Sequence, residues 1–205
     1  MDIKKGKVAI LLSGRGSNFE AIYNNSLKKD SNFQIEIVVS DKKKARGLEL
    51  AEKFGIENHY IPPRKFETRE HYEKHLIQLF EQKNIGLICL AGFMRIITGI
   101  LIAGFRNRIM NIHPSLLPAF PGLNAQGQAI GYGAKISGCT VHFVDEGMDT
   151  GPIILQKDIK VMDNDDEDSL SIRILKEEHI LYSKAIQLYF DQKLKIEGRK
   201  VTILP

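Results

Sequence analysis

Three stretches of this 205-residue chain bring together residue types that could do chemistry. Asn111-Ile112-His113-Pro114-Ser115-Leu116-Leu117-Pro118 closes an apolar run. Side chains on a strand alternate faces, so Asn111 and His113 point one way and Ile112 the other. An amide beside a protonatable imidazole suits acyl transfer: one holds a developing oxyanion and the other manages a proton. Pro114 and Pro118 bias the residues before them to extended backbone and stiffen the loop. A structural reading also fits the pair, with Asn111 capping a turn and His113 a hydrogen-bonded core histidine. In the second stretch, Asp145-Glu146-Gly147-Met148-Asp149-Thr150-Gly151-Pro152, Gly147 and Gly151 can present Asp149 on a tight turn. A carboxylate beside an imidazole orients it and favours its cationic form, although spacing alone equally fits a solvated Asp149. The third stretch, Gly14-Arg15-Gly16-Ser17-Asn18, sits where a strand passes into a helix. Small residues there let N–H groups approach an anion that the helix dipole also favours. Phe19 stands where the third glycine of a dinucleotide fingerprint would fall, and no Gly-Lys-Ser/Thr follows, so a monophosphate suits the loop better than NAD or ATP. Without a ligand the same loop is a strand-to-helix turn capped by Ser17 and Asn18.

The elements that must position these stretches follow from periodicity. Apolar runs at residues 7–12, 35–39, 59–61, 85–91, 108–112, 139–144 and 153–161 read as strands, and helical spacing follows Phe19 and spans 43–54, 68–82, 98–105, 125–131 and 169–191. On the 68–82 helix, Tyr72, His75, Leu76, Leu79 and Phe80 share a face. Residues 194–204 read as a hairpin. Strands alternating with helices are the signature of βαβ units, so the fold class is α/β: a doubly wound, mostly parallel sheet with helices on both faces. Ligands of such sheets bind at the carboxyl ends of the strands, where strand order reverses. For an order beginning 3-2-1-4, that crevice lies between loops 14–18 and 92–95.

Composition narrows the function classes. With 43% hydrophobic and 26% charged residues the chain is that of an ordinary globular protein, and its length favours one domain over residues 1–205. No apolar run reaches the ~18 residues of a membrane span, and the opening Met-Asp-Ile-Lys-Lys-Gly-Lys lacks the apolar core of a leader. The expected location is the cytoplasm, with no membrane partner. A net charge of +4 is thin for a nucleic-acid binder but suits an anionic small substrate. Cys89 and Cys139 form no CxxC pair and read as buried apolar residues of a reduced compartment. His71 and His75 have zinc-compatible spacing but no third ligand, and the acidic run 163–168 lacks the glycine of a calcium loop, so no metal is expected. His142, between Val141 and Phe143, stays open between core residue and site wall. Lys42–Lys44 read as a solvated helix start, and residues 117–128 as a mobile loop.

Four stretches, in order over nearly the whole chain, carry a resemblance: Ser13-Gly14-Arg15-Gly16-Ser17-Asn18, Leu90-Ala91-Gly92-Phe93-Met94-Arg95-Ile96, Asn111 to Pro118, and Asp149-Thr150-Gly151-Pro152-Ile153-Ile154. They resemble the phosphoribosylglycinamide formyltransferases, the folate-dependent transformylases of purine biosynthesis. The resemblance implies a Rossmann-like formyltransferase fold, with a phosphate-binding half over residues 1–100 and a catalytic and folate-binding half over 101–205. It implies that Gly16, Ser17 and Asn18 bind the substrate phosphate and that Glu178 lies near the ribonucleotide. Arg69, Met94, Arg95, Ile96, Ile97 and Asn111 would line the folate pocket. Asn111, His113 and Asp149 would be catalytic, with Asp149 favouring the protonated imidazole. The implied substrates are glycinamide ribonucleotide and 10-formyltetrahydrofolate, with no metal, no nucleic acid, and a monomer or weak homodimer. Arg15 departs from the asparagine common in the family, and Asn124 and Gln126 stand where relatives often carry histidine. Three other readings are weighed beside it. A formyltetrahydrofolate hydrolase would add an N-terminal domain and a methionyl-tRNA formyltransferase a C-terminal one, while a non-catalytic phosphosugar or folate sensor would not need Asn111, His113 and Asp149.

Overall fold

Strand and helix alternate as the apolar runs dictate. In a computed structural model that describes residues 5–205, the order is β1 (Gly6–Leu12), α1 (Ser17–Ser26), β2 (Phe33–Ser40), α2 (Arg46–Lys53), β3 (Asn58–Tyr60), a 3-10 turn (Pro63–Lys65), α3 (Arg69–Gln82), β4 (Leu87–Leu90) and α4 (Gly99–Gly104). Residues 1–4, part of the stretch read for a leader, lie outside the described residues. β5 (Ile109–His113) follows and carries the boundary between two compact units, Met1–Met110 and Asn111–Pro205.

In the first unit the strand order is β3-β2-β1-β4, with every pair parallel, as expected. Residues 8–12 of β1 and all of β4 are buried without alternation, the mark of strands covered on both faces. A Cβ on Gly47 would overlap the Leu12 side chain, so glycine lets α2 lie close against β1. α3 differs from its expected face. Its buried residues are Tyr72, Glu73, Leu76 and Phe80, while His75 is exposed. Glu73 goes inside because its carboxylate accepts the Thr98 N–H (2.7 Å), the Thr98 hydroxyl (2.5 Å) and the Leu101 N–H (3.1 Å). It thereby satisfies the first turn of α4, whose N–H groups have no partner within the helix.

The second unit contains α5 (Ala125–Tyr132), β6 (Ile136–Phe143), β7 (Ile153–Lys160), α6 (Glu167–Phe190), β8 (Leu194–Glu197) and β9 (Lys200–Ile203), with strand order β5-β6-β7-β9-β8. β6 and β7 are antiparallel, and their register slips between Val141 and His142. β8 and β9 form the expected hairpin. α6 opens on a capping box in which Asp166 and Ser169 exchange side-chain and backbone hydrogen bonds, the role expected of the acidic run. The chain is thus α/β, parallel in the first unit and mixed in the second. Cys89 and Cys139 are fully buried, as expected, and no helix among the described residues is long and apolar enough to cross a membrane.

Candidate active site

The chain leaves β1 and enters α1 through Gly16, whose φ of 79° lies in the left-handed region. A Cβ there would also fall 2.8 Å from the Gly47 Cα, so glycine is required twice over. Gly16, not Ser17 or Asn18, is the cap residue, and having no side chain it leaves the helix end without a capping carboxylate or hydroxyl. Ser17 is half-buried, Asn18 buried, and Arg15 exposed. Ser13 ties this loop to the one after β4. Its N–H donates to the Gly92 carbonyl (3.0 Å), its hydroxyl accepts from the Met94 N–H (2.9 Å) and donates to the Asp41 carboxylate (2.6 Å). The two loops expected to flank one crevice are therefore neighbours. The roles of Ser13 and Asp41 escaped sequence reasoning, whose only signal was a short polar residue at the carboxyl end of each strand.

Arg69 starts α3, whose cap Thr68 accepts from the His71 N–H (3.1 Å). Arg69 and Arg95 share a cavity of about 520 Å³ in the first unit with Lys42 and Lys43. The reading of these lysines as a mere solvated helix start is therefore incomplete: α2 begins only at Arg46. Met94 and Ile96 are exposed and Ile97 is buried, and none of the three lines the cavity. The cationic lining fits a carboxylated ligand.

In the second unit, His113 is buried at the end of β5, where both ring nitrogens face acceptors. Phe120 has φ 53°, unfavourable for a bulky side chain, and from that conformation its carbonyl accepts from His113 Nε2 at 2.8 Å. On the other side His113 Nδ1 lies 3.4 Å from Asp149 Oδ2. A neutral imidazole can serve one of these acceptors, an imidazolium both. Asp149 is held in turn by the Gly122 N–H (2.8 Å), and its Oδ1 lies 3.8 Å from His142 Nε2. Its side chain is only 13% exposed, which overturns the solvated alternative. His142 Nδ1 donates to the Phe143 carbonyl (2.8 Å), leaving Nε2 to accept from the Asn111 amide (3.2 Å). Burial lowers the pKa of His142, which keeps that acceptor neutral. The residue left open between core and site wall is thus part of the cluster.

The loop carrying Asp149 is closed by Asp145, which accepts the Gly147 N–H (3.1 Å) and the Thr150 hydroxyl (2.6 Å). Arg199 donates to the Thr150 carbonyl at 2.7 Å. A Cβ on Gly151 would overlap the Phe143 carbonyl oxygen, so its glycine permits close approach beside the register slip at His142. Asn124, itself left-handed, caps α5 by accepting the Gly127 N–H at 3.2 Å. That cap gives Asn124 a structural role. Glu178 is buried on α6. Desolvation, and then the charge of Glu178, push the Cys139 thiol up to about 12. His71 and His75 are exposed, and His71 lies 3.7 Å from Glu67.

Comparison with known proteins places the chain in a family. Residues 6–186 match the family model described as Formyl transferase. A phosphoribosylglycinamide formyltransferase of Bacillus subtilis is 43% identical over 181 residues, covering 88% of this chain and 93% of that one. The trifunctional purine biosynthetic protein adenosine-3 of Drosophila melanogaster is 42% identical over 187 residues, 90% of this chain but 14% of that protein's length. The structure of glycinamide ribonucleotide transformylase 1 from Symbiobacterium toebii superposes with a TM-score of 0.96 at 42% identity, over 98% of this chain and 95% of that one. A Rossmann-like sheet, an Asn111, His113 and Asp149 cluster and matches of this extent lead to one conclusion: the chain belongs to the formyl transferase family and, within it, to the phosphoribosylglycinamide formyltransferases.

Proposed function

We propose that the chain transfers the formyl group of 10-formyltetrahydrofolate to the amine of glycinamide ribonucleotide, by direct attack through a tetrahedral intermediate, in cytoplasmic purine biosynthesis. The observation that carries this reading is the cluster of Asn111, His142, Asp149 and His113, with both histidines buried and Asn111 and Asp149 half-buried, in a chain of this family. The amine attacks the formyl carbon, a C–N bond forms, and the carbonyl electron pair moves to oxygen. One Asn111 N–H is committed to His142, so the other is available to hold the oxyanion. His113 supplies the second contact once its Nε2 exchanges the Phe120 carbonyl for the substrate oxygen. The 117–128 loop must therefore yield at Phe120 during the cycle. Asp149 stabilises the imidazolium and passes the amine proton through water toward N10, which takes it as the C–N10 bond breaks. Gly16, Ser17 and Asn18 hold the ribonucleotide phosphate with the dipole of α1. Glu178 lies toward the ribonucleotide, and Arg69, Met94, Arg95, Ile96, Ile97 and Asn111 take the folate.

The test is an assay of the purified chain with both substrates, following tetrahydrofolate and formylated ribonucleotide together. The two products are expected to rise in equal amounts and only when both substrates are present. Formate release without the ribonucleotide would assign a hydrolase instead, and binding without turnover would assign a sensor.

A further inference from the structure

Asp149 stands on a turn of exposed residues. Glu146, Gly147, Met148 and Thr150 are all exposed, and the Asp149 backbone is left-handed at φ 54°. Aspartate tolerates that region, but only surroundings that fix the turn keep its carboxylate in one place. The tolerance is small: His113 Nδ1 lies 3.4 Å from Asp149 Oδ2, and a few tenths of an ångström more takes the pair past hydrogen-bond reach. The next residue, Thr150, is held at two points. Its hydroxyl donates to Asp145 inside the turn, and its carbonyl accepts from Arg199, 49 residues further along the chain.

Arg199 belongs to the C-terminal hairpin, an element to which the reaction gives no task. Glu197 pairs with Lys200, so Gly198 and Arg199 form a two-residue turn, with Gly198 supplying the positive φ of 60° at its first position. β9 runs parallel to β7 and pairs with it through Lys200 and Ile153, which sets Arg199 beside the residues that lead into β7, where Thr150 lies. A guanidinium stays charged at any working pH, so this bond holds whatever the protonation of the histidines.

We propose that Arg199 is a positioning residue: by holding the Thr150 carbonyl it fixes the left-handed turn at Asp149 and keeps that carboxylate against His113. The hairpin then serves catalysis without touching substrate. The effect on rate rests on the formyl-transfer reading above, and the effect on the turn rests on the geometry alone.

Two measurements on the whole chain decide the matter: turnover with both substrates saturating, and hydrogen exchange of the 146–151 amides. Arg199→Ala is expected to lower kcat roughly 3- to 10-fold, the worth of one exposed charge-assisted hydrogen bond, with the ribonucleotide KM unchanged and the melting temperature within about 4 °C. Arg199→Lys restores most of the rate, because a single N–H to a single carbonyl needs no planar fork. In an Asp149→Asn background, Arg199→Ala costs less than about twofold, since a residue that acts through Asp149 has nothing left to position. Exchange in the turn speeds up several-fold in Arg199→Ala and stays the same in β5 and α6. Equal losses in the two backgrounds, unchanged turnover in an active chain, or unchanged exchange in the turn overturns the proposal. Faster exchange in a chain that forms neither product keeps the hold on Asp149 and discards the formyl-transfer reading.

Discussion

The polar groups of the two candidate sites, one in each unit, are paired in opposite ways. In the first, Lys43, Arg64, Arg69 and Arg95 line a cavity without counter-ions, and α1 starts at a glycine with no capping side chain. In the second, each polar group of the site is matched to another: Asn111 to His142, His142 to the Phe143 carbonyl, Asp149 to Gly122, and His113 to Phe120 and Asp149. Unmatched charge attracts ligands and is screened by salt. Matched, buried groups are expensive to disturb and hold protons in fixed places. The contrast separates binding an anion from handling a proton.

The sharpest way to break that contrast is to remove one member of the matched set. Asn111→Ala and His113→Ala are each expected to lower turnover roughly 10²- to 10³-fold, the cost of one oxyanion donor, and to lower the melting temperature, because each leaves a polar partner unpaired, while the chain stays folded at the assay temperature. Near-normal turnover in both folded variants would end the assignment. In the first unit, Gly16→Ala forces a Cβ into left-handed backbone and toward Gly47. It is expected to cost about 1–3 kcal/mol of stability and to raise the KM for the ribonucleotide more than it lowers turnover, as saturation kinetics and thermal unfolding together will show.

A smaller effect concerns pH. Burial lowers the pKa of His142, so the folded chain keeps it neutral where the unfolded chain takes up a proton. Its contribution to stability is full above the unfolded value of about 6.5 and is lost as pH falls from there toward the lower folded value. Melting temperatures measured from pH 7.5 to pH 5 should fall, and His142→Asn should flatten the fall. An unchanged slope would show that His142 is not the group responsible. Smallest of all, Thr68→Ala removes the cap of α3 and is expected to cost about 1 kcal/mol in denaturant unfolding with no loss of turnover.

Much of the frame was legible in the residues. The alternation of strands and helices announced the α/β class, the almost wholly apolar run at 85–91 suited a strand covered on both faces, and the order 3-2-1-4, assumed in advance only to place the crevice, is the one the first unit has. Where expectation missed, the cause was a partner distant in sequence. Glu73 displaced His75 from the buried face of α3 because the start of α4, 25 residues on, needed an acceptor. Spacing left Asp149 open because its place depends on the register slip at His142 and on the turn closed by Asp145. The Phe120 contact with His113 is made by a backbone carbonyl and leaves no mark on residue type. Lys43 read as part of a solvated helix start and Arg64 carried no signal in its surroundings until the fold drew four segments around one cavity.

The central claim, that hydrogen-bonded, matched groups do the chemistry while unmatched charges only bind, is tested most directly by comparing kcat for Asn111→Ala and Arg69→Ala with both substrates saturating. Turnover is expected to fall roughly 10²- to 10³-fold in the first and to stay within about threefold in the second, where the loss appears in KM. An equal fall in both, or a fall confined to Arg69→Ala, would contradict it.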